Sequence, residues 1–388
     1  MFSSRLPADP TPNALSLALE RRRSRGLPIL DLTESNPTRV GLRYDAPQIL
    51  AGLARPEVLS YDPCARGLRQ TRELIAALAS GHGATVDPER IVLCASTSEA
   101  YGLLFKLLLD PGDEVLVPRP SYPLLELLGA LEGVRTIDYP LSRGPSRGWR
   151  LDLDALAYRW SARSKAVVVV HPNNPTGNYL TRADLDELDS FCAERGAALI
   201  VDEVFFDYRA PAAPTGIRSA TGLGRSLGFV LNGASKTLGL PQLKLAWIVV
   251  TGPEGLAAQA LARLDFAADL YLSVAGPVQH AAEALLATRP EIQSQIRRRV
   301  DENECRLRER VGPAACPREG GWSAVVHLGE PHSDEGFALD LLREDGVLVH
   351  PGYFYGFVAE DVVVISLLPG PELFDEAVIR LKRHLHGR

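Results

Sequence analysis

The sequence predicts an α/β protein built on a largely parallel β-sheet of seven strands flanked by helices, with a smaller α+β domain. From about Ile91 to Val250, short apolar runs alternate with segments of helical periodicity, which is typical of strand–helix–strand units. The runs Val167–Val170 and Leu199–Val201 are entirely apolar, which favours strands covered on both faces. After about Leu270 this alternation ends, and longer polar helical segments with short strands follow.

Apolar runs of strand length predict the seven strands of the large sheet. Their predicted bounds are Ile91–Cys94, Glu114–Val117, Val134–Tyr139, Ala166–Val170, Ala198–Val201, Gly228–Leu231 and Leu245–Val250. Helices are expected between them. Ser98–Leu109 is predicted to be opened by Ser98 and ended by Asp110-Pro111-Gly112, and Thr181–Arg195 to be capped by Thr181.

The two ends of the chain predict the smaller domain. We expect helices near Asn13–Arg25, Pro290–Val311 and Glu335–Glu344, a strand at Trp322–Leu328, two further short strands and a closing helix from Glu372. The expected division is a large domain at residues 45–270 and a small domain formed by residues 1–44 together with 271–388.

Composition and charge exclude several classes of protein. The chain has 388 residues, 46% of them hydrophobic and 23% charged, which is typical of a globular protein. A net charge of -6 argues against nucleic-acid binding, which needs clustered positive charge. The five cysteines form no CxxC pair, so we expect neither a disulfide framework nor a metal site. No apolar run reaches signal-peptide or membrane-spanning length, and a cytoplasmic location is expected.

Lysine is rare in this chain, yet two lysines lie close together. Of the 42 basic residues only five are lysine, and Lys236 and Lys244 are eight residues apart within Gly233–Trp247. An arginine cannot be deprotonated in a protein, whereas a partly desolvated lysine can attack a carbonyl. Taken alone, Lys236 is better explained as an ordinary loop residue beside Ser235 and Thr237.

Polar clusters also follow three of the predicted strands, where open α/β sheets gather their ligand groups. Ala95–Ser98 offers hydroxyls and backbone N–H groups that suit a phosphate, although a plain helix cap explains the same residues. His171–Gly177 predicts a tight turn that presents Asn174. Asp202 comes directly after a buried strand, where a carboxylate needs a partner; a structural ion pair or a helix cap is the alternative explanation.

Taken in order, these motifs resemble the class I/II pyridoxal-phosphate-dependent aminotransferases, the fold-type I family, over roughly residues 30 to 385. Asp202 lies 28 residues after Asn174, and Lys236 lies a further 34 residues on. The matching segments are Tyr61 with Gly67, Ala95–Ser98, Pro118–Pro123, Asn173–Gly177, Asp202-Glu203, and Ser235-Lys236 with Gly239, Pro241 and Trp247.

The resemblance implies pyridoxal 5′-phosphate as the cofactor and a role for each matching residue. Lys236 would hold the cofactor as a Schiff base and later move the Cα proton of the substrate. Asp202 would pair with the pyridinium nitrogen, Asn174 would hydrogen-bond the 3′ oxygen, and Tyr122 would stack on the ring. The implied phosphate ligands are Ser96, Thr97, Ser235 and Lys244.

The resemblance also implies an activity and an assembly. The activity is transfer of an amino group from a small-molecule amino donor to a 2-oxo acid. A lyase, decarboxylase or cyclising enzyme of the same fold, or a cofactor-binding regulator, is the alternative, because fold and cofactor do not determine the reaction. The residue matching Tyr61 reaches the cofactor phosphate of the neighbouring subunit in this family, so a homodimer is implied.

Two departures from the family pattern concern the cofactor. Lys244 stands where arginine is usual, and a lysine loses the planar two-pronged contact with phosphate. Phe205 stands where the family usually has a tyrosine that donates to the 3′ oxygen. Its missing hydrogen bond predicts a raised pKa for the Schiff base, unless Tyr208 supplies the hydroxyl.

The third departure concerns the substrate. Val364 stands where the family usually has the arginine that binds the α-carboxylate, and no Arg or Lys occurs between Arg343 and Arg380. Either another residue binds the carboxylate, or the substrate lacks one at this place. The candidates for such a residue are Arg39, Arg119 and His350.

Overall fold

The computed structural model describes residues 2–6, 11–144, 148–211, 213–329, 333–359 and 361–386. The terminal residues of the expected small domain, Met1 and Arg388, lie outside these ranges. The strands of the described chain are β1 (Leu30–Asp31), β2 (Ile91–Cys94), β3 (Glu114–Arg119), β4 (Arg135–Pro140), β5 (Ser142–Arg143), β6 (Trp149–Arg150), β7 (Ser164–Val170), β8 (Ala198–Asp202), β9 (Leu227–Gly233), β10 (Ala246–Thr251), β11 (Ser323–His327), β12 (Val347–Leu348), β13 (His350–Pro351) and β14 (Val362–Ser366).

The helices occupy the segments between these strands and both ends of the chain. They are α1 (Ala14–Ser24), α2 (Ala46–Leu53), α3 (Arg69–Ser80), α4 (Thr97–Leu108), α5 (Leu124–Glu132), α6 (Leu153–Arg159), α7 (Arg182–Glu194), α8 (Ala234–Thr237), α9 (Glu254–Asp269), α10 (Gly276–His280), α11 (Ala282–Ala287), α12 (Arg289–Val311), α13 (Asp334–Asp340) and α14 (Pro371–Leu385). Among the described helices, none is both long enough and apolar enough to cross a membrane.

The large sheet contains the seven predicted strands in the order β2-β10-β9-β8-β7-β3-β4. Strands β4, β3, β7, β8 and β9 run parallel to one another, and β10 is antiparallel to both of its neighbours, β9 and β2. The observed strand ends fall within two residues of the predicted ones. The predicted α/β class with a mainly parallel sheet is therefore confirmed.

Both faces of this sheet are buried, as the apolar runs predict. Along β7, Val167 and Val169 pack into one core with residues of α3 and α7. The alternate residues Ala166 and Val168 pack into a second core with residues of α4 and α9. Because side chains alternate across a strand, a strand covered on both sides needs apolar residues at every position.

The start of α4 differs from the prediction. The capping residue is Ser96 rather than Ser98, and its hydroxyl accepts a hydrogen bond from the Glu99 backbone N–H at 3.1 Å. The Glu99 carboxylate in turn accepts from the Ala95 N–H, near the same end of the helix. The Ser96 cap therefore places the first helical residue at Thr97, one residue before the predicted start. Thr181 caps α7 as predicted.

A further core joins the N-terminal segment to the C-terminal part of the chain. It contains Leu15 of α1 and Leu32, packed with residues of α12, α14, β11 and β14. Strand β1 pairs with β12 in the same region. These contacts support our proposal that residues 1–44 and 271–388 form one domain and residues 45–270 the other. Helices α10 and α11 nevertheless pack against α2 and α3 of the large domain.

The closing helix α14 provides a test of the core that joins the two ends of the chain. Phe374 of α14 is fully buried, and its replacement by alanine leaves a cavity. We expect Phe374→Ala to lower the free energy of unfolding by about 3–5 kcal/mol, measured from urea denaturation. Lys382→Ala, on the exposed side of the same helix, is the control and should change it by less than about 0.5 kcal/mol. Equal effects of the two substitutions would contradict this packing.

Candidate active site

Most of the predicted site residues line a single cavity of about 410 Å³. The carboxyl ends of β2, β7, β8 and β9 meet at one edge of the sheet, and the antiparallel β10 begins at that edge. The predicted residues that line the cavity are Ser96, Thr97, Tyr122, Asn174, Asp202, Ser235, Lys236 and Lys244. The topology of the sheet thus brings together residues that are up to 148 positions apart, from Ser96 to Lys244.

Asp202 is the buried acid of the cavity. It ends β8 and is only 5% exposed. One carboxylate oxygen accepts a hydrogen bond from the Tyr101 hydroxyl at 3.0 Å, and the other accepts from the Val204 backbone N–H at 3.1 Å. Burial raises the pKa of Asp202 to about 6, although both hydrogen bonds and the charge of Lys236 oppose this shift. A cationic partner in the cavity would therefore stabilise its charged form.

Lys236 presents its amine to the same cavity. It lies in the short helix α8, directly after β9, and is half-buried. Its Nζ lies 4.8 Å from the centre of the Trp322 ring and 5.4 Å from that of Phe205. Desolvation lowers the pKa of Lys236 to about 8, and the charge of Asp202 opposes that shift. A substantial fraction of the amine is therefore unprotonated, and nucleophilic, in mildly alkaline solution.

Part of the cavity lining suits an anion. Ser96 and Thr97 lie at the N-terminus of α4, where unpaired backbone N–H groups and the helix dipole favour negative charge. Ser235 and Lys244 line the same cavity from the segment between β9 and β10. Lys244 has a φ of 52°, a left-handed conformation that is uncommon outside glycine and accompanies functional sites.

Asn174 is held at the cavity wall by a rigid turn. The neighbouring Asn173 is buried; its Nδ2 donates to the Pro120 carbonyl at 2.9 Å and to the Thr176 hydroxyl at 2.7 Å. Its Oδ1 accepts from the Ser121 hydroxyl at 2.8 Å. These bonds tie the turn to the loop that carries Tyr122. Asn174 itself is half-buried, and its Oδ1 accepts from the Ser323 hydroxyl at 3.2 Å.

Tyr122 and Tyr61 occupy different surroundings. Tyr122 is half-buried in the cavity, and desolvation raises the pKa of its hydroxyl. Tyr61 is 82% exposed and lies in a separate groove of about 290 Å³, together with Tyr271. Within one chain, Tyr61 therefore does not join the other predicted site residues.

Phe205 and Tyr208, the alternative source of a hydroxyl, have different surroundings. Phe205 lines the cavity and packs edge-on against Trp322, with ring centres 5.0 Å apart. The Tyr208 hydroxyl donates a hydrogen bond to the Lys236 carbonyl, on the backbone of α8. Tyr208 therefore supports the lysine segment, and its hydroxyl is engaged with the backbone of α8 and does not line the cavity.

The three candidates for the missing arginine are placed differently. Val364 of β14 lines the cavity and is 1% exposed. Arg119 forms ion pairs with Asp138 at 2.9 Å and Glu126 at 3.2 Å, and Arg39 has a side chain that is 74% exposed. Of the three, His350 is the one whose side chain lines the cavity.

Several residues of the site have no signal in the local sequence pattern. Tyr101 does not line the cavity but reaches Asp202 from the second turn of α4. The others come from the two ends of the chain and arrive by tertiary packing; they are Thr33, Ser35, Trp322, Ser323, Tyr355 and Ser366.

The groups in the cavity match the chemistry of a phosphorylated aldehyde with a cationic ring. An amine, Lys236, can attack the aldehyde, and a buried carboxylate, Asp202, can pair with the ring cation. A helix N-terminus with the lysine Lys244 can hold the phosphate. Each charged part of such a cofactor therefore meets a group of suitable chemistry.

Comparison with known proteins agrees with this arrangement. The sequence profile of the family described as aminotransferase class I and II matches residues 48–378. The chain therefore belongs to the class I and II aminotransferase family, and it is an aminotransferase of fold type I. This family and fold imply pyridoxal phosphate as the cofactor.

Particular relatives cover nearly the whole chain. It is 28% identical to a glutamate-pyruvate aminotransferase of Haemophilus influenzae, over 94% of this chain and 92% of that protein. It is 29% identical to an arginine–pyruvate transaminase of Pseudomonas aeruginosa, over 93% and 91% respectively. The solved structure of an alanine aminotransferase from Pyrococcus furiosus superposes with a TM-score of 0.89 at 24% identity, covering 100% of both chains, and shows the shared fold.

The lowered pKa of Lys236 can be measured directly. In protein stripped of bound cofactor, we expect the rate of acylation of Lys236 to reach half its maximum near pH 8, because burial disfavours the charged amine. Peptide mass spectrometry would give the rate at each pH. Exposed Lys165 in the same sample is the reference. A Lys236 profile that coincides with that of Lys165 would rule out the desolvated amine.

Proposed function

We propose that this aminotransferase carries pyridoxal 5′-phosphate on Lys236 and transfers an amino group from an amino donor to a 2-oxo acid. The observation that supports this most strongly is the placement of Lys236 and Asp202 on one cavity. Burial shifts the pKa of both groups towards neutrality, to about 8 and about 6. When bound, the cofactor supplies an electron sink for the Cα carbon of the substrate.

Different cavity residues would bind the cofactor and transfer the substrate proton. Asp202, oriented by Tyr101 and the Val204 N–H, would hold the ring nitrogen. The amine of Lys236 would remove the Cα proton and return it, a role that suits a group with a pKa near the working pH. Tyr122 and Asn174 would position the ring, and the phosphate would be held by Ser96, Thr97, Ser235 and Lys244.

The names of the relatives support the proposed substrates. The proteins of Haemophilus influenzae and Pseudomonas aeruginosa are named for glutamate–pyruvate and arginine–pyruvate transfer. We therefore propose an amino-acid donor and a small 2-oxo acid acceptor such as pyruvate. A lyase, decarboxylase or cyclising reaction is not favoured, since both relatives are named for amino-group transfer.

A homodimer is part of the proposal. Tyr61 is exposed within one chain, and the groove around it includes Leu59 and Tyr271, which are 89% and 59% exposed. Contiguous exposed apolar side chains of this kind mark protein interfaces. In a dimer, Tyr61 would reach the phosphate end of the partner's cavity. We further propose a cytoplasmic location on the basis of the cysteine content.

Absorption spectroscopy tests the proposed chemistry. Purified protein should show a visible absorption band that Lys236→Ala abolishes, because the proposed covalent linkage to the cofactor is formed by the Lys236 amine. An amino acid such as alanine should convert the band to that of the amine form of the cofactor, and pyruvate should restore it. Lys165→Ala is the matched control and should leave the spectrum unchanged. A band that persists in Lys236→Ala, or that no donor in a broad panel converts, would refute the proposal.

Phe205 provides a second spectroscopic test. Phe205→Tyr should lower the pKa of the linkage between Lys236 and the cofactor, because the new hydroxyl donates a hydrogen bond to the ionised 3′ oxygen. The pKa is read from the visible band during a pH titration. Phe206→Tyr, at a neighbouring aromatic residue outside the cavity, is the control. An unchanged pKa in Phe205→Tyr would contradict the placement of residue 205 beside that oxygen.

A further inference from the structure

His350 lies directly across from the position where the family's carboxylate-binding arginine is missing. In the antiparallel pair β13–β14, the Cα atom of His350 is the register partner of that of Val364. Side chains of directly opposed residues in an antiparallel pair share one face of the sheet and are close neighbours. Both His350 and Val364 line the cavity. An imidazole on the adjacent strand can therefore reach the region that an arginine at position 364 would serve.

The contacts of His350 leave one ring nitrogen available. Its Nδ1 lies 3.3 Å from the hydroxyl of Tyr355, and its ring packs edge-on against Phe354, with ring centres 5.5 Å apart. Burial raises the pKa of Tyr355 to about 12, so its hydroxyl keeps its proton. No described residue forms a hydrogen bond with Nε2 of His350. The ring is thus oriented from one side while Nε2 remains free for a ligand.

A carboxylate entering this cavity needs such a group. Burying an unpaired carboxylate is strongly unfavourable, and a 2-oxo acid brings one with it. Two of the cationic side chains that line the cavity have other roles in the proposed function. Lys236 forms the covalent linkage to the cofactor, and Lys244 binds its phosphate. The opposed residues of β11 and β14 are apolar at Val325 and Val364. Among the described residues that line the cavity, His350 is the remaining one that can carry a positive charge.

We propose that His350, in its protonated form, binds the carboxylate of the amino-acid and 2-oxo-acid substrates through Nε2, with Tyr355 as the residue that positions its ring. This inference rests on the proposed aminotransferase function. Of the two explanations for the missing arginine, it favours a different carboxylate-binding residue over a substrate that lacks a carboxylate. The substrate class is therefore small amino acids and 2-oxo acids bound by a titratable group.

A titratable anchor makes carboxylate binding depend on pH. Burial lowers the pKa of His350 in the free protein, and the charge of Asp31 on β1 opposes that shift. The other titratable neighbour is Tyr355; Asp202, Lys236 and Tyr122 share the cavity. A bound carboxylate raises the pKa of the imidazole, so binding takes up protons. Between the free and bound pKa values, affinity should fall about tenfold for each unit rise in pH.

Propionate is a suitable probe because it has the carboxylate but neither an amino nor an oxo group. Isothermal titration of the holoenzyme with propionate near neutral pH, in two buffers of different ionisation enthalpy, gives both the affinity and the protons taken up. We expect the wild-type protein to bind propionate with proton uptake. His350→Gln should bind at least tenfold more weakly and lose the uptake. His384→Gln, at a histidine of α14 paired with Asp345, is the control and should behave as wild type.

A rescue variant tests whether the two strands serve the same ligand group. Val364→Arg combined with His350→Gln should regain propionate affinity without proton uptake, because a guanidinium stays charged. A double variant that binds no better than His350→Gln would contradict the proposal. Equal affinity and equal uptake in wild type and His350→Gln, or no binding by wild type, would overturn it. The visible absorption band of each sample reports separately on the proposed function, so the failure of one proposal is distinguishable from the failure of the other.

Discussion

The active site depends on the burial of an acid and an amine at one edge of a parallel sheet. Removing a carboxylate from water is unfavourable by several kcal/mol, and the two hydrogen bonds to Asp202 offset only part of that cost. The pKa of Asp202 rises to about 6 and that of Lys236 falls to about 8 for the same reason. Both groups are therefore stabilised by a ligand that supplies a cation to one and an electrophile to the other.

In the proposed function, the fold separates cofactor binding from substrate recognition. The residues proposed to bind the cofactor follow the strands of the large sheet, whose carboxyl ends meet by topology. Residues at the substrate end, such as Trp322, His350 and Val364, belong to the core that joins both ends of the chain or to its small sheet. Exchange of an arginine for a valine at position 364 can therefore change the recognition of the substrate without disturbing the groups that hold the cofactor.

Much of this fold follows from local pattern. The strands were predictable because a strand buried on both faces must be apolar throughout, as in Val167–Val170. The polar clusters that contain Ser96, Asn174 and Asp202 were predictable because each follows a predicted strand, whereas the roles of Tyr122, Ser235 and Lys244 came only from the family resemblance. The predicted start of α4 at Ser98 is wrong, because the Ser96 hydroxyl caps the helix by accepting from the Glu99 N–H. Ser323 and Tyr355 reach the cavity, and Tyr101 reaches Asp202, only through tertiary packing. No local pattern shows strand register. Register places His350 opposite Val364, whereas Arg119 is held in an ion pair with Asp138.

The covalent role of Lys236 is the central claim, and reductive trapping tests it most directly. Borohydride reduction fixes a bound pyridoxal group permanently on the lysine that carries it, and peptide mass spectrometry then identifies that lysine. With only five lysines in the chain, the assignment is unambiguous. We predict that the reduced pyridoxal label is found on the peptide that contains Lys236 and on no other. A label on Lys244 or another lysine, or no label on protein that has bound the cofactor, would contradict it.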